Sequence, residues 1–198
     1  MNALREFFQA NARKNLFAIN ELLRILTRLE QNGIKAIPFK GPVLTSLLYG
    51  TPALSCYGDL DILISRKDFD AVRKILLALG YLPETLMKPP KEASIFGHSV
   101  FEFNFFRAHS QIRIEVHWGI APSWFFWGHR SFPWSDSAKQ TSILGEIVWI
   151  LNSDILFIAL CIHGLRHQWS ILKWITDIAT LIEIGEIDWP TLLETASF

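Results

Sequence analysis

Hydrophobic and polar positions change their period several times along the chain, which predicts a mixed α/β protein. Apolar residues recur at helical spacing over residues 3–32, where Asn32-Gly33 is a suitable stop because glycine tolerates a left-handed cap. The apolar run over residues 34–39 predicts a strand. A short helix is expected over residues 42–49, since it opens with a proline that a first helical turn accepts.

The segment over residues 58–64 predicts a mostly buried strand that carries two carboxylates. Successive strand side chains alternate, so Asp59 and Asp61 share one face and the aliphatic residues between and after them share the other. Apolar residues then recur at helical spacing as far as Gly80, and Ser65 is the expected N-cap of this helix.

Two alternating segments, residues 100–106 and 111–118, predict a β-hairpin with one buried and one polar face. Glu102 and Glu115 lie on its polar face. Another strand is expected over residues 143–151. Loops are expected over residues 83–97 and, in an aromatic stretch that includes Trp124-Phe125-Phe126-Trp127, over residues 119–136.

From residue 153 the pattern becomes helical, with helices predicted over residues 153–166, 170–184 and 189–196. We therefore expect an α/β core with an N-terminal helix over residues 1–152 and a helical subdomain over residues 153–198. An obvious terminal cap signal is missing after the last helix, which is consistent with an incomplete helical subdomain.

Composition narrows the class of protein. The chain is 50% hydrophobic and 19% charged, so it can build a packed core. Its 19 Lys and Arg balance its 19 Asp and Glu, which argues against nucleic-acid binding through a basic surface. The two cysteines form no C-x-x-C, the start lacks a signal-peptide core, and the most apolar stretch is too short for a bilayer. We expect a soluble, cytoplasmic protein without a membrane partner.

The paired carboxylates indicate metal chemistry. Burying one charged carboxylate is costly, a second adds repulsion, and a divalent cation that favours oxygen ligands would relieve both. A third carboxylate joins them if the strand of Glu115 lies beside that of Asp59 and Asp61, and such a cluster can stabilise in-line attack on a nucleotide phosphate. Glu102 is the alternative third carboxylate, and a pair that simply faces water is the alternative to a metal site.

A series of short motifs follows in a fixed order. It comprises Lys40-Gly41, Leu48-Tyr49-Gly50-Thr51-Pro52, Gly58-Asp59-Leu60-Asp61-Ile62-Leu63-Ile64, Glu115-Val116-His117-Trp118, His163-Gly164, Trp169, Leu172-Lys173-Trp174, Asp177 and Ile187-Asp188-Trp189. This order resembles the nucleotidyltransferase superfamily typified by DNA polymerase beta, and more narrowly its uncharacterised bacterial nucleotidyltransferase family. The resemblance implies a small mixed β-sheet flanked by helices, followed by a helical subdomain.

The resemblance also implies roles for individual residues. Asp59 and Asp61 would bind the catalytic Mg²⁺ or Mn²⁺, and Glu115 would be the third carboxylate, as a metal ligand or as base for the acceptor hydroxyl. Gly41 would open the turn that phosphate approaches, and Lys40 would contact phosphate. The further candidates for binding the nucleotide are Tyr57, Gly58, His163 and Lys173.

The implied activity is transfer of a nucleoside monophosphate from an NTP to an acceptor, with release of pyrophosphate. The acceptor, whether small molecule, protein or RNA, and the oligomeric state stay open. The alternative is a non-catalytic nucleotide-sensing or protein-binding module on a degenerate fold, which Pro42 in place of the superfamily's usual serine and the aromatic loop both motivate.

Two pairs at helical i, i+4 spacing allow other interpretations. His163 and His167 could chelate zinc, although a structural or nucleotide-facing role is favoured because a third ligand motif is missing. Lys173 and Asp177 could form a surface pair, or Asp177 could pack against the α/β core.

Overall fold

The computed structural model describes residues 2–84, 101–108, 112–120, 134–185 and 187–196. The helices in these ranges are α1 (Asn2–Glu30), α2 (Gly41–Tyr49), α3 (Phe69–Ala78), α4 (Ser153–Arg166), α5 (Leu172–Ile184) and α6 (Trp189–Ala196). The strands are β1 (Ala36–Pro38), β2 (Asp59–Ile64), β3 (Leu82–Pro83), β4 (Glu102–Arg107), β5 (Ile112–His117), β6 (Ala138–Ile143) and β7 (Glu146–Leu151).

Within the described residues, β1 to β5 form one sheet in the order β1-β2-β5-β4-β3. β2 and β5 run parallel, whereas the pairs β1–β2, β4–β5 and β3–β4 are antiparallel. The sheet is therefore mixed, which confirms the expected α/β class with a small mixed β-sheet flanked by helices. In the parallel register Asp61 lies opposite Glu115, and Leu63 lies opposite His117. Glu102 lies on β4, one strand further from β2, where it is opposite His117 of β5.

Two apolar cores cover the two faces of the sheet. On one face, the aliphatic residues Leu60, Ile62 and Ile64 of β2 pack with α1 and α3. On the other face, Leu63 packs in a second core with residues of α2, α4 and α5. Because side chains alternate along β2, the face that carries Leu63 also carries Asp59 and Asp61. Helices α4 and α5 thus pack on the carboxylate face, and the domain boundary at residue 152 stays a prediction.

The structure corrects two local predictions. Residues 143–151 are not one strand, because β6 and β7 form a hairpin joined at Leu144-Gly145, where φ is 51° and 87°. Two successive left-handed residues are the geometry of a tight two-residue hairpin turn. Ser65 does not bond the helix start through its side chain; the turn Arg66–Asp68 separates it from α3.

Some predictions fall outside the described residues, namely the segment 124–127 and most of the loop expected over 83–97. The helical boundaries predicted after residue 152 agree with α4, α5 and α6 to within two residues. Among the helices of the described ranges, none has the length and apolarity needed to cross a membrane.

Candidate active site

The residues singled out from the sequence surround one cavity of about 340 Å³ on the carboxylate face of the sheet. Helices α2, α4 and α5 form its other walls. The lining includes all nine candidates, Lys40, Gly41, Tyr57, Gly58, Asp59, Asp61, Glu115, His163 and Lys173. Segments that lie more than 100 positions apart in sequence therefore meet at one site.

The turn between β1 and α2 passes close to β2. Lys40 is extended, and Gly41 adopts a left-handed φ of 63°. A Cβ at Gly41 would lie 3.3 Å from the carbonyl oxygen of Asp59, so the turn needs glycine both for its conformation and for its closeness to β2. Pro42 follows in the first turn of α2, where it removes one backbone donor.

Asp61 is the buried centre of the site, with 2% of its surface exposed. Its Oδ1 atom lies 2.6 Å from Lys40 Nζ and 3.1 Å from His117 Nε2. The same His117 nitrogen lies 3.6 Å from Glu115 Oε2. Two basic side chains thus face a cluster of carboxylates, as burial of like charges requires.

The carboxylates of the cluster differ in their protonation equilibria. Burial and the nearby charges of Asp61 and Glu115 raise the pKa of Asp59 to about 6. Burial would also raise the pKa of Asp61, but Lys40 and His117 outweigh it and hold that pKa well below its usual range. The hydrogen bond from His117 lowers the pKa of Glu115. The negative charge of the cluster therefore lies mainly on Asp61 and Glu115, and ionisation of Asp59 is less favourable.

These side chains fit a divalent cation. In the described ranges, the ligand atoms of Asp61, Glu115 and His117 lie within 4.8 Å of one another. Asp59 lines the same cavity from the same face of β2. Oxygen-rich donor sets suit Mg²⁺ and Mn²⁺, and the Lys40 ammonium, 2.6 Å from Asp61 Oδ1, shows that the cluster attracts positive charge.

In the sequence His117 stands out only as part of a motif with Glu115, whereas in the structure it lies at the centre of the site. Although it alternates with apolar residues on the polar face of β5, it is 2% exposed. Its Nδ1 atom lies 3.5 Å from Glu102 Oε2, and that carboxylate lies 3.4 Å from Arg166 Nη1. Glu102 thus contacts the rear of His117, while Glu115 faces Asp61, which supports Glu115 as the third carboxylate.

The helical wall of the cavity is aromatic. The His163 ring lies 4.7 Å from that of His167 and 4.9 Å from that of Trp174, centroid to centroid. Burial and nearby Lys40 lower the pKa of His163 to about 3, so its ring is neutral, and its Nδ1 lies 3.3 Å from Lys40 Nζ. The metal-ligand cluster found among the described residues does not include this pair, so the structure lends the zinc interpretation no support.

Asp177 joins the helical wall to the α/β core. It is 2% exposed, accepts a hydrogen bond of 2.9 Å from the Tyr49 hydroxyl of α2, and pairs with Lys173. Of the two interpretations of the Lys173–Asp177 pair, packing against the core is the one that agrees with this burial.

Two asparagines of α1, which the sequence analysis did not single out, hold the loop before β2. Asn15 Nδ2 donates to the Pro52 carbonyl at 2.9 Å and to the Ser55 carbonyl at 2.6 Å. Asn11 Nδ2 donates to the same Ser55 carbonyl at 2.8 Å. Tyr57 returns a hydrogen bond of 3.3 Å to the Asn15 carbonyl. The available signal was two amides at i, i+4 spacing on the face of α1 that becomes apolar further along.

Comparisons with known structures identify the fold. ANT(2'')-Ia in complex with adenylyl-2''-tobramycin aligns at a TM-score of 0.62 and 12% identity, over 90% of this chain and 97% of that one. The lincosamide antibiotic adenylyltransferase LnuA, bound to lincomycin, aligns at 0.57 and 15% over 84% and 97%. An antigenic nucleotidyltransferase-like protein from Paracoccidioides brasiliensis aligns at 0.52 and 18% over 90% and 84%. The fold is thus that of polymerase-beta-like nucleotidyltransferases.

Comparisons of sequence identify the family. No curated protein matches the chain. The family described as uncharacterised nucleotidyltransferase matches residues 1–197, which is nearly the whole sequence. The chain therefore belongs to the uncharacterised nucleotidyltransferase family and is a transferase of that class.

Proposed function

We propose that this protein transfers a nucleoside monophosphate from an NTP to an acceptor hydroxyl and releases pyrophosphate, with a divalent metal held by Asp59, Asp61 and Glu115. One observation carries the proposal. The parallel pairing of β2 and β5 sets Asp61 opposite Glu115 in the wall of the cavity that Lys40 also lines. Phosphoryl transfer needs positioning and charge neutralisation, which this arrangement supplies.

Each residue has a part in this reaction. When bound, Mg²⁺ or Mn²⁺ neutralises the charge that develops on the phosphate oxygens. Glu115, whose side chain is 18% exposed, lies at the accessible edge of the cluster and can accept the proton of the acceptor hydroxyl. Lys40 supplies a positive charge for the phosphates, and Gly41 lets the backbone of the turn come close to them.

The donor and acceptor can be narrowed for testing. ANT(2'')-Ia is seen with an adenylylated antibiotic and LnuA with lincomycin, so two proteins of this fold take small-molecule acceptors. Trp174 and the His163 ring, which meet edge to face, line the cavity, and an aromatic ring there can stack on a base. We therefore take ATP as the donor and a small hydroxylated molecule as the acceptor class. Tyr57, Gly58 and Lys173 are the further contacts that we assign to these substrates.

A non-catalytic nucleotide-sensing module is the second candidate function. The observation that favours it is Pro42, which removes a backbone donor where α2 faces the cavity. Such a module would bind nucleotide and would release no pyrophosphate with any acceptor.

Calorimetric titration with a non-hydrolysable ATP analogue tests the site. We expect binding that requires Mg²⁺ or Mn²⁺ and that the double substitution Asp59→Asn with Asp61→Asn abolishes. Asp70→Asn, an exposed aspartate of α3, is the matched control and should bind as the wild type does. Equal binding by the double variant would refute the assigned site. Pyrophosphate release in an acceptor screen then separates the transferase from the sensing module.

A further inference from the structure

We propose that the Lys40 ammonium competes with the divalent metal for Asp61 and leaves Asp61 for the nucleotide phosphates, so that Lys40 couples metal binding to nucleotide binding. This inference rests on the proposed function, because it assumes that metal and NTP bind in this cavity. It adds to the proposed function a role for Lys40 in setting how strongly metal and NTP bind.

Lys40 already holds a cation at the oxygen that a metal would need. Its Nζ atom lies 2.6 Å from Asp61 Oδ1, and the two side chains are 14% and 2% exposed. A buried ion pair of this kind is costly to break unless each partner finds another opposite charge. A divalent cation that ligates Asp61 must therefore work against Lys40.

His117 is the other basic side chain at Asp61, but its ring is firmly held. Its Nε2 atom faces both Asp61 and Glu115, at 3.1 Å and 3.6 Å, and its ring packs edge-on against that of Phe39, with the centroids 5.2 Å apart. A lysine instead has a flexible four-carbon stem that can move its charge without shifting the backbone. Lys40 is therefore the group that yields when a metal arrives.

The surroundings of Lys40 decide when it can leave. Its ammonium also lies 3.3 Å from the Nδ1 atom of His163, on α4, and 5.3 Å from the centroid of the Phe39 ring. Neither ring offers a counter-charge, since the His163 ring is neutral. Metal alone therefore leaves the ammonium to share Asp59 and Glu115 with the metal, whereas metal with an NTP brings phosphate oxygens into the same cavity. Each ligand should consequently strengthen the binding of the other.

The test compares wild type with Lys40→Met in titrations of Mn²⁺, alone and with a saturating non-hydrolysable ATP analogue. Wild type should bind Mn²⁺ weakly alone and tightly with the analogue. Lys40→Met should bind Mn²⁺ alone about ten-fold more tightly, and the strengthening by the analogue should shrink by about the same factor. Lys67→Met, an exposed lysine before α3, is the control and should match the wild type.

Lys40→Arg is a second variant, which keeps the inference testable if Lys40→Met does not fold. It keeps the positive charge, so it should keep Mn²⁺ binding weak in the absence of nucleotide. The inference is overturned if Lys40→Met, folded by circular dichroism, binds Mn²⁺ alone no more tightly than the wild type. It is overturned as well if Lys40→Arg tightens Mn²⁺ binding about ten-fold. If the wild type binds no Mn²⁺ even with the analogue, the proposed function itself is refuted. This outcome differs from those that refute only the role of Lys40.

Discussion

Glu21 offers a sharp test of how α1 is fixed to the sheet. This carboxylate of α1 is 8% exposed and accepts hydrogen bonds from three side chains. Tyr81 donates at 2.9 Å, Arg107 of β4 at 2.8 Å, and Arg24 through two nitrogens at 3.0 Å and 2.5 Å. Glu21→Gln keeps the size of the side chain but removes its charge and one acceptor oxygen.

The cost of this substitution can be worked out from the exposure of the partners. The two arginine side chains are 47% and 34% exposed, so water can replace most of what they lose. Tyr81 is fully buried and bonds the same Oε1 atom as both arginines, so the amide oxygen of glutamine can take that position and keep the Tyr81 bond. The substitution therefore removes the charge-assisted part of these bonds, for which we expect a loss of about 1.5 kcal/mol in the free energy of unfolding. For a chain of this size that lowers Tm by roughly 3–6 °C.

Urea unfolding and thermal melting of Glu21→Gln beside Glu6→Gln provide the assay. Glu6 lies on the exposed first part of α1, so its substitution should change stability by less than about 0.5 kcal/mol. A loss below about 0.5 kcal/mol in Glu21→Gln would refute the reasoning, because the ionised carboxylate would then stabilise the fold no more than a neutral amide does.

The same comparison has a defined pH dependence. Burial would raise the pKa of Glu21, but its bonds to Arg24 and Tyr81 outweigh burial and lower the pKa below the ordinary 4.5. A depressed carboxyl pKa gives stability that is fully present above the unfolded pKa and is lost as pH falls through the folded pKa. The gap between wild type and Glu21→Gln should therefore be constant near neutral pH and close in acid, and a gap that widens in acid would contradict the assigned ionisation.

Three further substitutions, with Gly33→Ala as a control, test the geometry around the cavity. Gly41→Ala and Gly33→Ala both place alanine at a left-handed φ, at a cost of about 1–2 kcal/mol each. Only Gly41→Ala brings a Cβ to 3.3 Å from β2, so it alone should weaken binding of the ATP analogue in calorimetry. Asp177→Asn, which removes a buried charge between α2 and α5, should lower stability by about 1–3 kcal/mol in urea unfolding, and an unchanged midpoint would contradict the packing role. Gly164→Ala puts a Cβ 2.4 Å from the Trp169 ring, so it should cost about 1–3 kcal/mol, and a wild-type Tm would show that the ring moves freely.

Alternation was the most reliable guide to the fold. It predicted that Asp59 and Asp61 share a face of β2, and it predicted the two faces of the β4–β5 hairpin. The periodicity after residue 152 gave α4 and α6 their boundaries. These signals are local, because each depends on burial of one face of a single element.

The hairpin of β6 and β7 shows where local patterns are insufficient. Residues 138–142 are mostly polar and lack the apolar alternation of a half-buried strand. Their pairing comes from the neighbouring β7 and from the turn at Leu144-Gly145, where a leucine accepts a conformation that sequence patterns assign to glycine or asparagine.

The candidate site likewise depends partly on local patterns and partly on pairing between distant segments. The sequence identified residue types and motif order, but pairing across long separations decides which side chains meet. His117 is an example, since the motif that includes it with Glu115 does not say what its ring contacts. The structure buries that ring because Asp61 and Glu115 lie on one side and Glu102 on the other. Lys40 likewise reaches Asp61 only because β1 pairs with β2.

The parallel pairing of β2 and β5 also bears on how the chain acquires its site during synthesis. β1 and β2 can pair as soon as residue 64 is made, but Glu115 follows Asp61 by 115 − 61 = 54 positions. Non-local parallel pairing must first overcome the entropy of closing that long loop, and it forms slowly. Until β5 has left the ribosome, a nascent chain carries Asp59 and Asp61 without Glu115 or His117. Under the proposed function, tight binding of metal together with nucleotide would therefore mark a completed fold.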